Sequence, residues 1–233
     1  MKISVVVPAF NEEKLLAETL ASIRSASTAL GSDVELIVCD NNSTDRTAEI
    51  ARAAGAQVVF EPVNQIARAR NAGAALATGD WLVFVDADSQ PSRDLFLELK
   101  EILEKSEFIG GGCTVQMEID DAFAKAAVWM WNRISRATCW AAGSFIFCRA
   151  AAFRELGGFS EQLYAAEEID FSRRLKGLGR MTILHRHPLS TSGRKALLYS
   201  WRELFYLFFR IILTGGSALR RKDECFAWYD GRR

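Results

Sequence analysis

Short apolar runs rich in β-branched residues alternate with helix-like segments through the first ninety residues of the chain. Four such runs cover residues 3–7 (ISVVV), 34–39 (VELIVC), 57–60 (QVVF) and 81–85 (WLVFV). Runs that are apolar at nearly every position are typical of strands buried on both faces of a parallel sheet. The alternation therefore predicts an α/β fold with a mostly parallel, Rossmann-like central sheet and helices on both faces.

Capping and turn residues divide the rest of the chain into further elements. We expect Asn11 to cap the first helix and Ser43 or Thr44 to cap the second, because short polar side chains accept hydrogen bonds from free amide groups. No linker or internal repeat interrupts the chain, so one domain over residues 1–233 is expected. The remaining patterns predict helices over 43–54, 64–77, 91–105, 120–140, 150–156 and 165–178, and strands over 108–118, 143–148 and 181–184.

Polar residues follow three of the predicted strands at the point where each strand ends. Asn11 and Glu12 come after the first strand, residues 40–42 after the second, and Asp86-Ala87-Asp88 after the fourth. In open α/β sheets, ligands bind outside the carboxyl ends of the strands, where the strand order reverses. The three clusters are therefore expected to converge on one crevice.

Composition narrows the class of protein. Lys plus Arg and Asp plus Glu each number 29, so the chain has no net basic charge and a nucleic-acid partner is not expected. The five cysteines form no C-x-x-C pair, which favours reduced, buried thiols over disulfides or zinc ligands. A short apolar start cut by Pro8 predicts no signal peptide and a cytoplasmic location. No uncharged apolar run reaches the roughly 18 residues of a spanning helix.

The Asp86-x-Asp88 pattern stands directly after an apolar strand. Two carboxylates at such a point can turn toward one divalent cation and its phosphate ligand, and their hard oxygens suit Mg²⁺ or Mn²⁺. The alternative is a loop in which both aspartates cap turns.

Four motifs in order carry a family resemblance. VVVPAFNEE (5–13), CDNNSTDRT (39–47), ARARNAG (67–73) and VFVDADS (83–89) together resemble the family-2 glycosyltransferases of GT-A fold. The resemblance is strong over 1–90, which it implies is the nucleotide-binding half. It is weaker beyond that point. It implies an enzyme that moves a sugar, with inversion and with a divalent metal, from a nucleotide-diphosphate donor, in particular a UDP-sugar, to an acceptor hydroxyl.

The resemblance also implies roles for particular residues. Asp88 matches the metal ligand of the D-x-D motif, and a histidine near His185 and His187 is an additional ligand in many members. The alternative is that both histidines have a purely structural role. Asp86 matches the ribose-side acid, Asp40 the acid that reads the base, and Arg70 the arginine near base and phosphate. The donor-binding residues implied or expected are Pro8, Ala9, Glu12, Asp40, Arg70, Asp86 and Arg194.

Glu167 and Glu168 form a second pair of carboxylates in the catalytic and acceptor half, residues 91–194. In the family a Glu-Asp pair stands here, and its second acid removes the proton of the acceptor hydroxyl. Glu168 occupies that position with one extra methylene, so Glu167 remains an alternative base. Acids that only stabilise a helix N-terminus are the other interpretation.

Residues 191–195 are polar and basic, and Arg194 is expected to close over the diphosphate, with an ordinary loop as the alternative. The apolar segment 195–213 predicts a C-terminal amphipathic helix, followed by a basic tail to residue 233. It either packs against the sheet or a second subunit, or lies at the inner face of a membrane. Three tryptophans of the helical segment before residue 141 are expected in the core, with stacking on a sugar face as the alternative: Trp129, Trp131 and Trp140.

Other functions remain open from the sequence. One is a membrane-associated polyprenyl-phosphate glycosyltransferase, for which no protein base would be needed. Another is a non-catalytic sugar-nucleotide-binding module that acts through segment 195–213. A nucleotidyltransferase is disfavoured, because the loop PAFNEE (8–13) lacks the glycine-rich, basic character of a phosphate loop. The acceptor is unassigned between a saccharide, a lipid and a small molecule.

Overall fold

One mixed eight-stranded sheet, flanked by helices, organises the described residues of the computed structural model. The structure describes the whole chain except residues 32, 106, 118–120, 194–202, 204, 205, 207–209, 211, 212, 215 and 230–233. Arg194 and most of the predicted helix 195–213 therefore lie outside the described residues. The strands are β1 Lys2–Ala9, β2 Asp33–Asp40, β3 Gln57–Phe60, β4 Trp81–Val85, β5 Ser89–Gln90, β6 Phe108–Met117, β7 Phe145–Arg149 and β8 Arg180–Thr191.

Helices connect these strands and cover the sheet. Short 3₁₀ turns add Thr28–Leu30 and Ser217–Arg220. The α-helices are α1 Leu16–Ser27, α2 Thr47–Ala53, α3 Ile66–Leu76, α4 Arg93–Leu103, α5 Ala122–Thr138, α6 Ala150–Glu155, α7 Glu167–Lys176 and α8 Phe226–Tyr229.

The strand order is β3-β2-β1-β4-β7-β6-β8-β5. Strands β1, β2, β3 and β4 pair in parallel, and so do β6 and β8. Strand β7 runs antiparallel to both of its neighbours, and β5 runs antiparallel to β8. The chain leaves β1 toward β2 on one side and reaches β4 on the other, so the order reverses between β1 and β4. The mostly parallel sheet expected from the sequence is confirmed.

Strand β1 shows how the continuous apolar runs build two core layers. Val5 and Val7 pack in a cluster that contains Leu16, Leu20 and other side chains of α1 and α4. Val6 points to the other face and joins a second cluster, in which the rings of Phe84, Phe153, Phe159 and Phe171 pack in edge-on and tilted arrangements. Side chains alternate across a strand, so both faces must be apolar when both are covered.

The predicted capping of the first two helices is wrong. Helix α1 begins at Leu16, and Asn11 lies before it in a left-handed conformation with φ of 51°. Its Oδ1 accepts a hydrogen bond from the Thr44 amide at 2.8 Å, while its own amide donates to Ser43 Oγ at 3.0 Å. Helix α2 begins at Thr47, so the Asn11, Ser43 and Thr44 side chains join two loops instead of capping helices.

All five cysteines are free, as expected, and burial raises the pKa of the Cys39 thiol to about 12. Within the described part of the chain, no helix has the length and apolar character needed to cross a bilayer.

Candidate active site

A crevice of about 560 Å³ opens outside the carboxyl ends of β1 and β4, where the strand order reverses. This is the place that the polar clusters of the sequence predict. Its lining combines carboxylates, amides and one tyrosine with an apolar floor. The lining residues are Pro8, Ala9, Phe10, Glu12, Asn41, Asn64, Ile66, Ala69, Asp86, Ala87, Asp88 and Tyr229.

The end of β1 contributes Pro8 and Ala9 and the loop after it contributes Glu12, three of the residues that the family resemblance places against the donor. Glu12 is buried, and its amide donates to Thr47 Oγ1 at 2.8 Å. That bond fixes the β1 loop to the first turn of α2. The wall of the crevice is therefore positioned by bonds between loops as well as by the sheet.

Asn41 holds the β2 end of the crevice, and sequence reasoning did not single it out. Its amide donates to the Ala9 carbonyl at 2.8 Å, and its Nδ2 donates to the Val63 carbonyl at 2.6 Å. Its Oδ1 accepts from the Gln65 amide at 2.9 Å. Asn41 thus connects β1, β2 and the start of α3, and its position inside the polar cluster at 40–42 was the available signal.

Asp40 is buried behind this lining. Its Oδ1 accepts a hydrogen bond from the Ser43 amide at 3.0 Å, which closes a turn of the chain. Asp40 is not among the residues that line the crevice. Its predicted contact with the base stays a prediction.

The Asp86-Ala87-Asp88 loop forms the opposite wall. The Asp86 amide donates to the Ser144 carbonyl at 3.2 Å, and the Ser192 amide donates to the Asp88 carbonyl at 3.1 Å. The hydroxyls of Ser89 and Thr191 share a hydrogen bond of 3.0 Å. The loop is therefore tied both to the segment before β7 and to the end of β8, and both of its aspartates face the crevice.

Arg70 lies behind this wall and is only 1% exposed. Its Nη1 donates to Glu167 Oε1 at 2.6 Å, and its Nη2 donates to Asp86 Oδ1 at 3.1 Å and to the Gly143 carbonyl at 2.8 Å. The guanidinium also lies 5.3 Å from the centre of the Phe159 ring. The family resemblance implies that Arg70 lies near base and phosphate, and this stays a prediction. In the structure Arg70 joins the D-x-D loop to α7, and it is not among the lining residues.

Glu167 and Glu168 begin α7, and their surroundings differ. Glu167 is 3% exposed and is bonded to Arg70, whereas Glu168 is half-buried. Burial, together with the charge of Glu167, raises the pKa of Glu168 to about 8, although Arg70 opposes the shift. One arginine faces three carboxyl groups here, and it is bonded to those of Asp86 and Glu167. Glu168 has no such bond to any described residue and therefore retains a proton most readily.

Two backbone features place these acids. Ala166, just before α7, is left-handed with φ of 60°, a conformation that costs a residue with a Cβ about 1 kcal/mol. Gly143 lies against the arginine: a Cβ built there would be 3.1 Å from Arg70 Nη2 and 3.7 Å from Glu168 Cδ. The Gly143 loop therefore packs directly against the Arg70 guanidinium and the Glu168 carboxyl group.

The donor set of the crevice fits a divalent cation of the Mg²⁺ type. Asp88 and Asp86 supply hard carboxylate oxygens, and one oxygen of Asp86 is already paired with Arg70. Among the described residues no group of three or more His, Cys, Asp or Glu could hold a metal. Mg²⁺ usually takes one or two carboxylates and completes its shell with water and substrate phosphate. Two aspartates beside an open crevice meet that requirement.

The structure does not bring His185 into the crevice. Strand β8 bulges between Leu184 and Leu189, and the amides of His185 and His187 donate to the buried Glu98 carboxylate at 3.0 and 3.1 Å. His185 is exposed and lines a different hollow, beside α5. The expectation that both histidines face the crevice assumed a regular strand, and the bulge removes that regularity. Neither histidine lines the crevice.

Tyr229 closes one side of the crevice, and nothing in the local sequence pattern indicated it. Its hydroxyl accepts a hydrogen bond from the Ile66 amide at 3.3 Å, at the start of α3, and burial raises its pKa. Its ring packs edge-on against Tyr164 at 5.6 Å. The C-terminal segment thus returns to the nucleotide-binding half through a contact between residues far apart in the chain.

A family model described as glycosyl transferase family 2 matches residues 4–156, more than half of the chain, and the matched range contains every crevice-lining residue named above except Tyr229. The chain belongs to glycosyltransferase family 2. The fold is GT-A, as the motifs imply.

Curated relatives extend over a similar part of the chain. An undecaprenyl-phosphate 4-deoxy-4-formamido-L-arabinose transferase of Klebsiella pneumoniae is 32% identical over 162 residues, 66% of this family-2 chain and 49% of that protein. The uncharacterized glycosyltransferase Mb0553 of Mycobacterium bovis is 38% identical over 110 residues, 47% of each chain. The chain thus spans about half the length of the curated relatives it matches.

Solved structures share the fold at low identity. The mannosyltransferase PcManGT from Pyrobaculum calidifontis, in complex with GDP-Man and Mn²⁺, has a TM-score of 0.68 at 21% identity, over 94% of this chain and 62% of that one. S. aureus TarS 1-349 in complex with UDP-GlcNAc also gives 0.68 at 21%, over 97% and 69%. The likeness shows that the sheet and its flanking helices have the same arrangement.

Proposed function

We propose that this chain moves a sugar from a nucleotide-diphosphate donor to an acceptor hydroxyl, with inversion at the anomeric carbon. The observation that carries the proposal is the Arg70 bridge. It joins the D-x-D loop at Asp86 to the acids at the start of α7, through bonds of 3.1 and 2.6 Å. Arg70 thereby connects Asp86, which lines the crevice, with Glu167, which lies behind the lining together with Glu168. A single displacement requires such a fixed relation between the donor side and the acceptor side.

Glu168 is the base of the proposed reaction. Glu167 is buried and bonded to Arg70, so its carboxylate is committed to the bridge. Glu168 has no such ion pair in the described contacts, is half-buried, and has a pKa raised to about 8. A base works best when its pKa lies near the working pH, because it can then both accept and release a proton. Between the two acids, these contacts support Glu168.

Asp88, with Asp86 beside it, would hold the divalent cation, which when bound supplies charge neutralisation for the departing diphosphate. Pro8, Ala9, Glu12 and Asn41 form the rest of the wall against which the nucleotide would lie. The solved relatives named above hold UDP-GlcNAc and GDP-Man. We propose a UDP-sugar for this chain, on the strength of the Asp40 match in the second motif.

A phosphate acceptor carried by a polyprenyl lipid is the second candidate. It is favoured by the 32% identity to a transferase whose name specifies undecaprenyl phosphate. A phosphate oxygen is already ionised and needs no base, so the two candidates differ in what Glu168 contributes. In the second, Glu168→Gln would leave the rate nearly unchanged.

Calorimetry with UDP, GDP, CDP and dTDP, each with Mn²⁺ and again with a chelator, tests the donor half. We expect tight binding of UDP only when the metal is present, and loss of that binding in Asp88→Asn. Glu12→Gln, which alters a lining carboxylate outside the D-x-D loop, is the matched variant and should keep the metal dependence. Equal binding with chelator, or by Asp88→Asn, would contradict the metal assignment.

Turnover tests the acceptor half. In Glu168→Gln we expect UDP binding to be retained while turnover falls by roughly 100-fold or more. Glu168→Asp, the shorter acid usual in the family, should keep measurable activity. Glu167→Gln should lose thermal stability together with activity, since it breaks the Arg70 bridge. A full rate in Glu168→Gln with a lipid-phosphate acceptor would replace the first candidate by the second.

A further inference from the structure

In the part of the chain that the structure describes, helix α5 contacts the sheet through one side. Val128 and Trp131 pack against the large core cluster. The side-chain amide of Asn132 bonds the Val115 backbone in β6 twice. Its Nδ2 donates to the Val115 carbonyl at 2.8 Å, and its Oδ1 accepts from the Val115 amide at 3.0 Å. Ser135 is buried, with its hydroxyl on the Trp140 carbonyl at 2.6 Å. These contacts fix which face of α5 points away from the protein.

The outward face of α5 is apolar, and the expectation that Trp129 lies in the core is wrong. The exposed fractions are 72% for Phe123, 62% for Trp129 and 56% for Met130. Phe123, Ala127, Met130, Ile134 and Ala137 recur every three or four residues, which places them in one stripe along the helix. An exposed stripe of large apolar side chains marks an interaction surface.

The charges along this helix have one sign. Between Ala122 and Thr138 there are three cations and no acidic residue, namely Lys125, Arg133 and Arg136, all exposed. The Arg133 guanidinium lies 4.8 Å from the Trp129 ring centre, so charge and aromatic ring are presented together. The neighbouring Asp121 precedes the helix, and its carboxylate accepts the Ala124 amide at 2.7 Å as a cap.

The hollow beside α5 repeats this charge pattern. It lies between α5 and the β6 and β8 strands, and among the described residues its lining includes Arg133, Arg136 and His185 but no acidic side chain. A neighbouring hollow on the same helix adds Lys125. The apolar stripe is therefore bordered by groups that suit an anionic phosphate headgroup.

We propose that the outward face of α5 lies on a membrane surface that contains anionic lipids, with Phe123, Trp129, Met130 and Ile134 at the headgroup boundary. A basic helix with one exposed apolar face and aromatic residues is the form that lies in a membrane interface. At about 1.5 Å per residue its 17 residues extend for roughly 26 Å along that surface. This inference goes beyond the proposed transfer reaction and does not depend on it.

Charge decides against a second copy of the chain as the occupant. Two copies paired through this stripe would bring two sets of three cations together without an acid on either helix face. Like charges at such distances are destabilising, whereas an anionic lipid surface complements them. The proposed surface also differs from segment 195–213, on which the sequence-based expectation of membrane contact rests.

Vesicle flotation of the full chain tests the proposal. The probes are phosphatidylcholine vesicles and vesicles in which about a third of the lipid is phosphatidylglycerol. We expect partition into the anionic vesicles only, weakened by salt. Phe123→Glu/Met130→Glu should lower the partition coefficient at least about tenfold, because two apolar side chains are lost from the contact. Arg133→Gln/Arg136→Gln should lower it about tenfold at low salt.

The matched control is Leu76→Glu/Leu178→Glu, which adds the same charge at two exposed apolar residues outside α5 and should float like the parent. Far-UV circular dichroism and a cooperative thermal melt check that every variant is folded, whether or not the chain binds UDP. Equal binding to neutral vesicles, an unchanged Phe123→Glu/Met130→Glu variant, or no flotation would each overturn the proposal. A dimer in sedimentation, lost in that variant, would assign the stripe to a second copy instead.

Discussion

The edge of the sheet at the crevice and the outward face of α5 are built by opposite rules. At the crevice, polar groups are buried and paired with one another, and Arg70 at 1% exposure is bonded to groups from three segments. On α5, Trp129 is 62% exposed, and large apolar side chains lie beside unburied cations. The first arrangement defines a fixed geometry, whereas the second leaves a surface to be completed by something outside the chain.

Arg70→Met should have the largest effect, because it leaves the buried Glu167 and the partly buried Asp86 without their cation. We expect the free energy of unfolding to fall by about 3–5 kcal/mol, as for other buried pairs that lose one partner. The control is Arg68→Met, two residues away in α3. Arg68 forms a partly exposed ion pair with Glu161, and its removal should lower the free energy of unfolding by less than about 1 kcal/mol. Urea unfolding of both variants measures the difference. Equal losses of unfolding free energy would show that the buried Arg70 bridge stabilises the fold no more than an exposed ion pair does.

Gly143→Ala should affect turnover more than stability. The added methyl group would lie 3.1 Å from Arg70 Nη2, so the guanidinium must shift by a few tenths of an ångström. Because the shift moves the carboxylates that Arg70 holds, we expect kcat to fall about tenfold or more while the Kd for UDP changes little. Steady-state kinetics and calorimetry on the same preparation separate the two. An unchanged kcat would mean that the bridge tolerates displacement.

Glu168→Gln should stabilise the protein in alkaline solution. The pKa of Glu168 is about 8 in the folded chain against 4.5 ordinarily, so between these values the folded state holds more protons. Raising the pH through this window therefore lowers the free energy of unfolding of the parent. Glu168→Gln has no carboxyl group at this position, so its stability does not fall in this way. We expect the Tm of the variant to lie a few degrees above that of the parent at pH 8.5 but not at pH 5. A lower Tm at pH 8.5 would contradict the raised pKa.

Ala166→Gly should have the smallest effect. Glycine adopts the left-handed conformation at no steric cost, so the relief of about 1 kcal/mol offsets its greater loss of chain entropy on folding. We expect stability unchanged or raised by a few tenths of a kcal/mol. Ala151→Gly, at an exposed position of α6, is the ordinary helical comparison and should cost about 1 kcal/mol. Thermal melts of the two variants decide, and equal destabilisation would remove the strain argument.

The sequence predicts the sheet well because strand patterns are local. Residues 57–60 and 81–85 match β3 and β4 to the residue, and both faces of each central strand are apolar, as burial under helices requires. The lining residues Glu12, Asp86 and Asp88 were found because they follow predicted strands, whereas Pro8 and Ala9 were named through the family resemblance of the first motif. The position of a residue at the end of a strand can be recognised from the sequence alone.

Features that depend on contacts between distant residues were not predictable in this way. Arg70 carries no local mark that it will bond Glu167, which is 97 positions away. Tyr229 reaches Ile66 across 163 positions. The bulge that turns His185 out of the crevice depends on Glu98, which accepts three amides of β8. In each case the partner determines the outcome, and composition near the residue cannot identify the partner.

The reversed direction of β7 determines which stretches of chain can change the specificity of the proposed enzyme. Its first residue, Phe145, pairs with the last residue of β4, so the segment that arrives before β7 reaches the catalytic edge. Every other wall of the crevice described above is formed by chain that leaves a parallel strand or by the C-terminal Tyr229. Insertions ahead of residue 143 could therefore reshape what faces the sugar without displacing the nucleotide's wall. In the proposed enzyme, the chain that enters β7 and the chain that leaves the parallel strands meet at the same edge of the sheet. Substitutions in the first would change the acceptor preference without changing the donor preference, and the reverse holds for the second.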